Sequence, residues 1–216
     1  MSWQVVHARG DAAEFHAAAP STVRTATFHT VDRPALVLGS SQRIDEVDAR
    51  VATVLGVEVV IRRSGGGAVL LLPGEHLWLD LVIPAGDPLW HDDVGAAMVW
   101  VGELWRDALA DLDIDGTVHR GPLQPSLWSR QVCFAGLGTG EVTATATGGK
   151  LVGVAQRRTR TAARFQSMCH LTWRPELVAA LVAPPRPTAL ELAHVAAPIA
   201  ASTEDLIAFL TRRLPS

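Results

Sequence analysis

The sequence predicts an α+β domain, with a mixed or mostly antiparallel sheet flanked by helices. Short β-branched runs recur at close spacing and are separated by glycine turns, the pattern of hairpins. Helical periodicity is confined to a few stretches. Strands and helices show no regular βαβ alternation, which a parallel sheet would require. Residues 1–216 carry no fixed-period repeat and no low-complexity linker in the middle, so the chain reads as one domain.

Taken in order, "TVRTATFH" and "ALVLG" read as short strands around Arg33-Pro34. "RIDEVDARVATVLG" then has helical spacing, with Ile44, Val47, Val51, Val54 and Leu55 on one face and Gly56 closing it. "VEVVIRR" is a β-branched run, "SGGG" interrupts it, and "AVLLL" resumes strand character. After "PGE" turns the chain, "HLWLDLVIP" alternates as a strand. The longest helix is expected from Asp92 or Asp93 through "LADL", burying Val94, Met98, Val101, Leu104, Trp105 and Leu109. Trp100 and Trp105 read most simply as core. An irregular stretch follows Gly121. "EVTATAT" and "KLVGVAQRR" then flank Gly148-Gly149 as a hairpin with a two-residue glycine turn. "ARFQSMCHLTW" is a further strand and "RPELVAALV" a helix that "PPRP" breaks. "STEDLIAFLTRRL" is an amphipathic helix capped by Ser202 or Thr203, with acidic residues in its first turn.

Composition narrows the function. The formal net charge of -3 gives no basic footprint for nucleic acid. No apolar run is long enough to span a membrane. The N-terminus shows no basic region followed by an apolar core. Two well-separated cysteines, Cys133 and Cys169, read as reduced thiols of a cytoplasmic protein. His76, His91 and His119 show no metal-ligand spacing, and no metal ligand is assigned.

The chain has no tyrosine and no asparagine, and Lys150 is its only lysine. Bias toward GC-rich codons accounts for the arginine excess, but it would have made Lys150 arginine too. Lys150 follows a glycine pair and opens an apolar strand, which places its stem against the core. A compact charge with three donors there can hold a phosphate or polarise a carbonyl without a planar fork. Gly153 on the same strand would leave room above it. Upstream, Gly65, Gly66 and Gly67 cost backbone entropy unless a ligand or another backbone comes close. With Arg62, Arg63 and Ser64 before them they describe an anion site; a bulged hairpin with two solvated arginines is the bland alternative. The spacing of "RRSGGGAV" fits neither a Walker loop nor a dinucleotide fingerprint.

"RRSGGGAV" followed about eighty residues later by "GGKLVGVAQRR" resembles the catalytic domain of the lipoate-protein ligases, in the superfamily that also holds biotin-protein ligases and octanoyltransferases. "RPALVLGSSQ", ending at Gln42, resembles the family's P-x-x-x-x-G-x-x-Q segment, and the likeness covers residues 20–175 or so. It implies a biotin/lipoate-ligase-like fold, with no C-terminal accessory domain. It implies condensation of ATP with lipoic or octanoic acid to an acyl-adenylate. The acyl group then passes to a lysine of a lipoyl domain, on the E2 of a 2-oxoacid dehydrogenase or on the H protein of glycine cleavage. Arg62 would bind the adenylate phosphate, and Gly65, Gly66, Gly67 and Ala68 would line the nucleotide and acyl site. Lys150 would touch the acyl carbonyl and phosphate. Val69, Leu71 and Leu79 are tunnel candidates, and strand core is as good a reading for each.

The Asn-Asp that usually precedes the family lysine and helps with magnesium is missing, and Glu141 is the only carboxylate in that region. The His-Asp after the glycine run and the His-Gly-Thr after the "AQRR" strand are also replaced. These departures bear on magnesium-ATP chemistry more than on the acyl site. Two alternatives stay open. Some octanoyltransferases of the superfamily use a cysteine in a "C-F" dipeptide and need no ATP; Cys133 in "VCFAG" would then take an octanoyl group from an acyl carrier protein. A non-catalytic acyl- or nucleotide-binding homologue is the other.

Overall fold

A computed structural model describes residues 2–216; Met1 lies outside the described residues. Ten strands and six helices follow in the order β1 (Gln4–Gly10), α1 (Ala12–Ala17), β2 (Thr25–Val31), β3 (Ala35–Leu38), α2 (Ala49–Val54), β4 (Glu58–Ile61), β5 (Val69–Leu71), β6 (His76–Pro84), α3 (Val94–Ala110), β7 (Gly116–Val118), β8 (Val142–Ala144), β9 (Lys150–Arg158), β10 (Ala162–His170), α4 (Pro175–Leu181), α5 (Ala189–Leu192) and α6 (Thr203–Arg213). They build a seven-stranded sheet, β1-β2-β6-β10-β9-β8-β7, and a three-stranded sheet, β4-β3-β5. The large sheet is antiparallel except for β1 against β2, and in the small sheet β3 and β4 are parallel.

The mixed α+β sheet flanked by helices is the class that the sequence predicts. Regular βαβ alternation is absent, as expected, but two single crossovers that the sequence reading did not show, β1-α1-β2 and β3-α2-β4, make the parallel pairs. The first is hard to see in sequence because β1 is a largely exposed edge strand without a clear apolar face.

Side-chain alternation along the strands stacks the layers. On β6, Leu77, Leu79, Leu81 and Ile83 face α3 and α6, joined by Phe165 and Cys169 of β10. Trp78 and Met168 face the other way, toward Val37 and Leu71 of the small sheet. The far side of that sheet, Leu36, Leu38 and Leu70, packs under α4 with Val47 and Ala52. Helix α3 begins at Asp93, whose carboxylate accepts from the Ala96 N–H at 2.8 Å. Its buried face is Val101, Leu104, Trp105 and Leu109 as expected, whereas Val94 is exposed and Met98 only partly buried. Trp105 is fully buried and donates to Ser167 Oγ at 2.8 Å; Trp100 is half-buried against Phe165.

The helix expected over Arg43–Gly56 is broken. A single 3-10 turn spans Ile44–Glu46, and α2 starts only after Asp48. Val47 is extended because it pairs with Val182, while the Asp48 N–H donates to the Leu181 carbonyl at 2.9 Å. Tertiary hydrogen bonds outcompete local periodicity there, so Ile44, Val54 and Leu55 stay exposed.

Three histidines are buried without a carboxylate close enough to keep them charged. His76 and His170 are register partners across β6 and β10, and neither Nε2 has a hydrogen-bond partner. Burial lowers the pKa of His76 from 6.5 to about 4, of His170 to about 3 and of His16 to about 4. The unfolded chain takes up these protons near pH 6.5 and the folded chain does not, so stability is full above pH 6.5 and falls as the pH drops toward 4. Each histidine is expected to cost about 1–2 kcal/mol of unfolding free energy between pH 7 and pH 5. Urea unfolding at the two pH values measures the sum, and a flat profile would contradict the assignment of neutral buried imidazoles.

Candidate functional site

Two cavities meet between the sheets. The first, of about 60 Å³, is mainly apolar: Val37, Val69 and Leu71 come from the small sheet, Trp78 and Met168 from the large one, and Phe134 closes one side. The second is a polar cleft of about 440 Å³, lined by Gln42, Gly65, Gly66, Gly67, Glu141 and Lys150. Cys133, Val154 and Ala155 border both.

The glycines of the cleft wall are there because backbones touch. A Cβ on Gly67 would lie 2.7 Å from both Cys133 N and Val132 C, and one on Gly39 would run into the Gly66 carbonyl. Gly66 has φ +98, a left-handed conformation that glycine adopts freely. Main-chain bonds seal this contact: Ala68 N to Gln131 O at 2.8 Å and Cys133 N to Ala68 O at 3.0 Å. Gln42 holds the other side, accepting from Gly39 N at 2.9 Å through Oε1.

Arg62 is buried under this loop. It donates to the carbonyls of Val37 at 3.2 Å, Gly65 at 2.7 Å and Gly67 at 2.9 Å. Among the described residues no carboxylate lies within ion-pair distance of it, and its Nε has no partner. It lines the apolar cavity rather than the cleft, so it does not face Lys150 across one shared space. Arg63 is exposed and lines neither cavity. Ser64 is buried and donates to Gln166 Oε1 at 3.2 Å. Ala68 is corrected as a lining residue, because it packs in the core under α4; of the two readings open for Leu79 the strand core holds, facing α3.

Lys150 is 3% exposed. Its Nζ is 2.7 Å from Glu141 Oε2, donates to the Cys133 carbonyl at 2.9 Å and sits 5.2 Å from the Phe134 ring centroid. Glu141 also accepts from the N–H groups of Gly138 and Val154. The expected two-residue turn before Lys150 is a five-residue loop, 145–149, closed by Gly148 N to Ala144 O at 2.8 Å. A Cβ on Gly149 would lie 3.2 Å from Ala197 and from the His194 carbonyl, a tight contact that the neighbours must give way to accept.

A β-bulge orients the lysine. Val142 pairs with Val152 but Thr143 pairs with Lys150, so Leu151 is an extra residue in β9. In a regular strand, positions 150 and 153 would face opposite sides of the sheet. With the bulge, Lys150 meets Phe134 and Glu141, and so would a side chain at Gly153, at 3.4 Å and 3.6 Å. Cys169 lies on the α3 face, where burial pushes its thiol up to about 12, while His170 lies on the other, its ring centroid 4.6 Å from that of Phe134.

Residues 13–196 match the family described as lipoyl protein ligase A/B catalytic domain. The chain belongs to this family. Lipoyl ligase-type structures resemble this member closely in fold. A bipartite lipoate protein ligase from Thermoplasma acidophilum, studied with its E2 lipoyl domain, is 17% identical, with a TM-score of 0.74 over 99% of this chain and 82% of that one. A T. acidophilum protein solved with bound lipoic acid gives 15% identity and a TM-score of 0.72 over 99% and 84%. Lipoate-protein ligase A bound with ATP gives 15% and 0.71 over 99% and 84%. No curated protein matches the sequence. Among the described residues, no helix of this family member is long and apolar enough to cross a membrane.

Sequence reasoning missed His16, Trp78, Phe134, Gln166 and Met168, all of which line the apolar cavity. Phe134 carried a signal in the "C-F" dipeptide, and Gln166 and Met168 in the alternation of their strand. His16 carried none.

The buried pair predicts a coupling. Glu141→Leu leaves the Lys150 ammonium buried without its carboxylate and should cost about 3–5 kcal/mol. The double variant Glu141→Leu/Lys150→Met should recover most of that loss, as read from urea unfolding of all four proteins. Simple additivity would show that the two charges do not interact.

Proposed function

We propose that this protein activates lipoic or octanoic acid with ATP and transfers the acyl group to a lysine of a lipoyl domain. The observation that carries this reading is the junction of an apolar cavity with a polar cleft at Cys133, Val154 and Ala155, with the sole lysine on the cleft side. That shape suits a molecule with an aliphatic half and a charged, nucleotide half. Family membership and the fold shared with ligases solved with lipoic acid and with ATP support it.

In this reading the carboxylate of the acid attacks the α-phosphorus of ATP and pyrophosphate leaves. Lys150 stabilises the negative charge that develops between the acyl carbonyl and the phosphate. The glycine run lets the nucleotide approach the main chain, and Arg62 keeps that run in place from beneath. The amine of the acceptor lysine then attacks the acyl carbon, and AMP departs. An acceptor such as an E2 or an H protein presents that lysine at the cleft. Glu46 and Glu141 are carboxylates of the cleft lining. Glu141 is already engaged by Lys150 and by two backbone N–H groups, so a magnesium ion carried by the phosphates would find its protein carboxylate in Glu46, and it would neutralise phosphate charge there.

Cys133 favours a second reading. Its position on both cavities suits a thiol that carries an octanoyl group from an acyl carrier protein without ATP.

Pyrophosphate exchange separates them. Lipoate- or octanoate-dependent exchange is expected, and Lys150→Arg, which keeps the charge but not the shape, should reduce it on the order of 10²-fold. Absent exchange together with an acyl thioester trapped on Cys133 would replace the ligase with the transferase. Neither signal, with acid binding intact, would leave a binding protein.

A further inference from the structure

The cavity between the sheets runs from Gly153 and Ala155 on β9, across β10, to Trp78 on β6. That is two strand spacings, about 10 Å. The β9 end opens on the cleft, so the β6 end receives the far end of any chain whose carboxyl group lies at Lys150. That far end is not simply apolar. Helix α1 places His16 there, with its ring stacked on Trp78 at 4.7 Å between centroids. The Ser64 hydroxyl donates to Gln166 Oε1, and Gln166 Nε2 in turn lies 3.2 Å from His16 Nδ1. With the Gln166 amide oriented as it stands, Oε1 toward Ser64 and Nε2 toward His16, Nδ1 accepts and the proton of the neutral imidazole sits on Nε2. Burial keeps this ring neutral.

The His16 Nε2–H has no hydrogen-bond partner among the described residues. The nearby carboxylate, Asp80, is already engaged by Trp78 Nε1 at 2.7 Å, Arg164 Nε at 2.7 Å and His29 Nε2 at 3.2 Å. A second donor, Arg62 Nε, is also unpartnered on the same cavity. Arg62 Nε is already buried without a partner, and a chain ending in a methyl group would cover the His16 Nε2–H as well without bonding it, which is costly. A chain with an acceptor at its distal end would satisfy one of them.

We propose that His16 is a specificity-determining residue that reads the distal end of the acyl chain, so that the cavity prefers a chain carrying a hydrogen-bond acceptor there over one ending in a methyl group. This rests on the reading of the cavity as the acyl site. The cyclic disulfide of lipoate and a terminal hydroxyl both belong to the preferred class.

Calorimetric titration without ATP tests this apart from turnover. Wild-type protein should bind 8-hydroxyoctanoate and lipoate at least about tenfold more tightly than octanoate. His16→Leu should bring that ratio close to one, chiefly by tightening octanoate. His16→Gln, which keeps an N–H donor, should retain part of it. Gln166→Leu frees the imidazole orientation and should lower the ratio as well, which covers the case in which His16→Leu does not fold. Octanoate binding as tightly as the hydroxy acid, or an unchanged ratio in a folded His16→Leu protein, would overturn the proposal. If wild-type protein binds none of the three acids, the acyl-site reading itself falls.

Discussion

The burial of one ammonium group organises this site. A lysine sealed from water must be paired, because an isolated charge in a protein interior is unaffordable. Lys150 finds its partners in the Glu141 carboxylate and the Cys133 carbonyl, both on the long connection between β7 and β8. Its main chain is gripped from elsewhere: Lys150 N donates to Val195 O and Ala197 N donates to Lys150 O, each at 2.9 Å. One residue therefore draws together a sheet strand, an irregular loop through its side chain, and the 195–197 segment through its main chain. The bulge at Leu151 is what lets it reach them.

A second constraint is close backbone contact. The glycine run, Gly39 and the Val132–Cys133 segment lie too near one another to tolerate a Cβ at Gly39 or Gly67. Arg62 fills the space beneath and donates to carbonyls at three places, which ties the loop to the small sheet. With the loop held there, the two sheets enclose an apolar cavity that connects with the cleft only along Cys133, Val154 and Ala155. The proposed activation chemistry and the proposed reading of the acyl terminus by His16 use opposite ends of that one space. They depend on different residues: Lys150 and the glycine run at one end, and His16, Gln166 and Ser64 at the other.

Much of this was legible in the sequence. Strands with clear alternation, β6 and β10 above all, and the long capped helix α3 declare themselves, because period and capping are local properties. The lone lysine and the glycine run stood out for the same reason: each is locally expensive or locally improbable. The errors share a cause. Arg43–Gly56 has helical spacing, yet Val47 pairs with Val182, more than a hundred residues away, and the helix breaks. Leu79 and Val69 look alike as strand residues, but only Val69 faces the cavity. Arg62 and Arg63 look alike as basic residues before the glycines; one is buried against carbonyls and the other is exposed.

The sequence by itself determined which elements have a side to bury and which residues could not be there by default: the glycines and the lysine. Those follow from backbone freedom, side-chain period and charge, which act over a few residues. The tertiary structure alone decided what those residues face. A one-residue bulge, a pairing between distant segments and a helix that carries His16 into a cavity formed by other strands are settled by packing and hydrogen-bond satisfaction across the whole chain, and no local pattern encodes them.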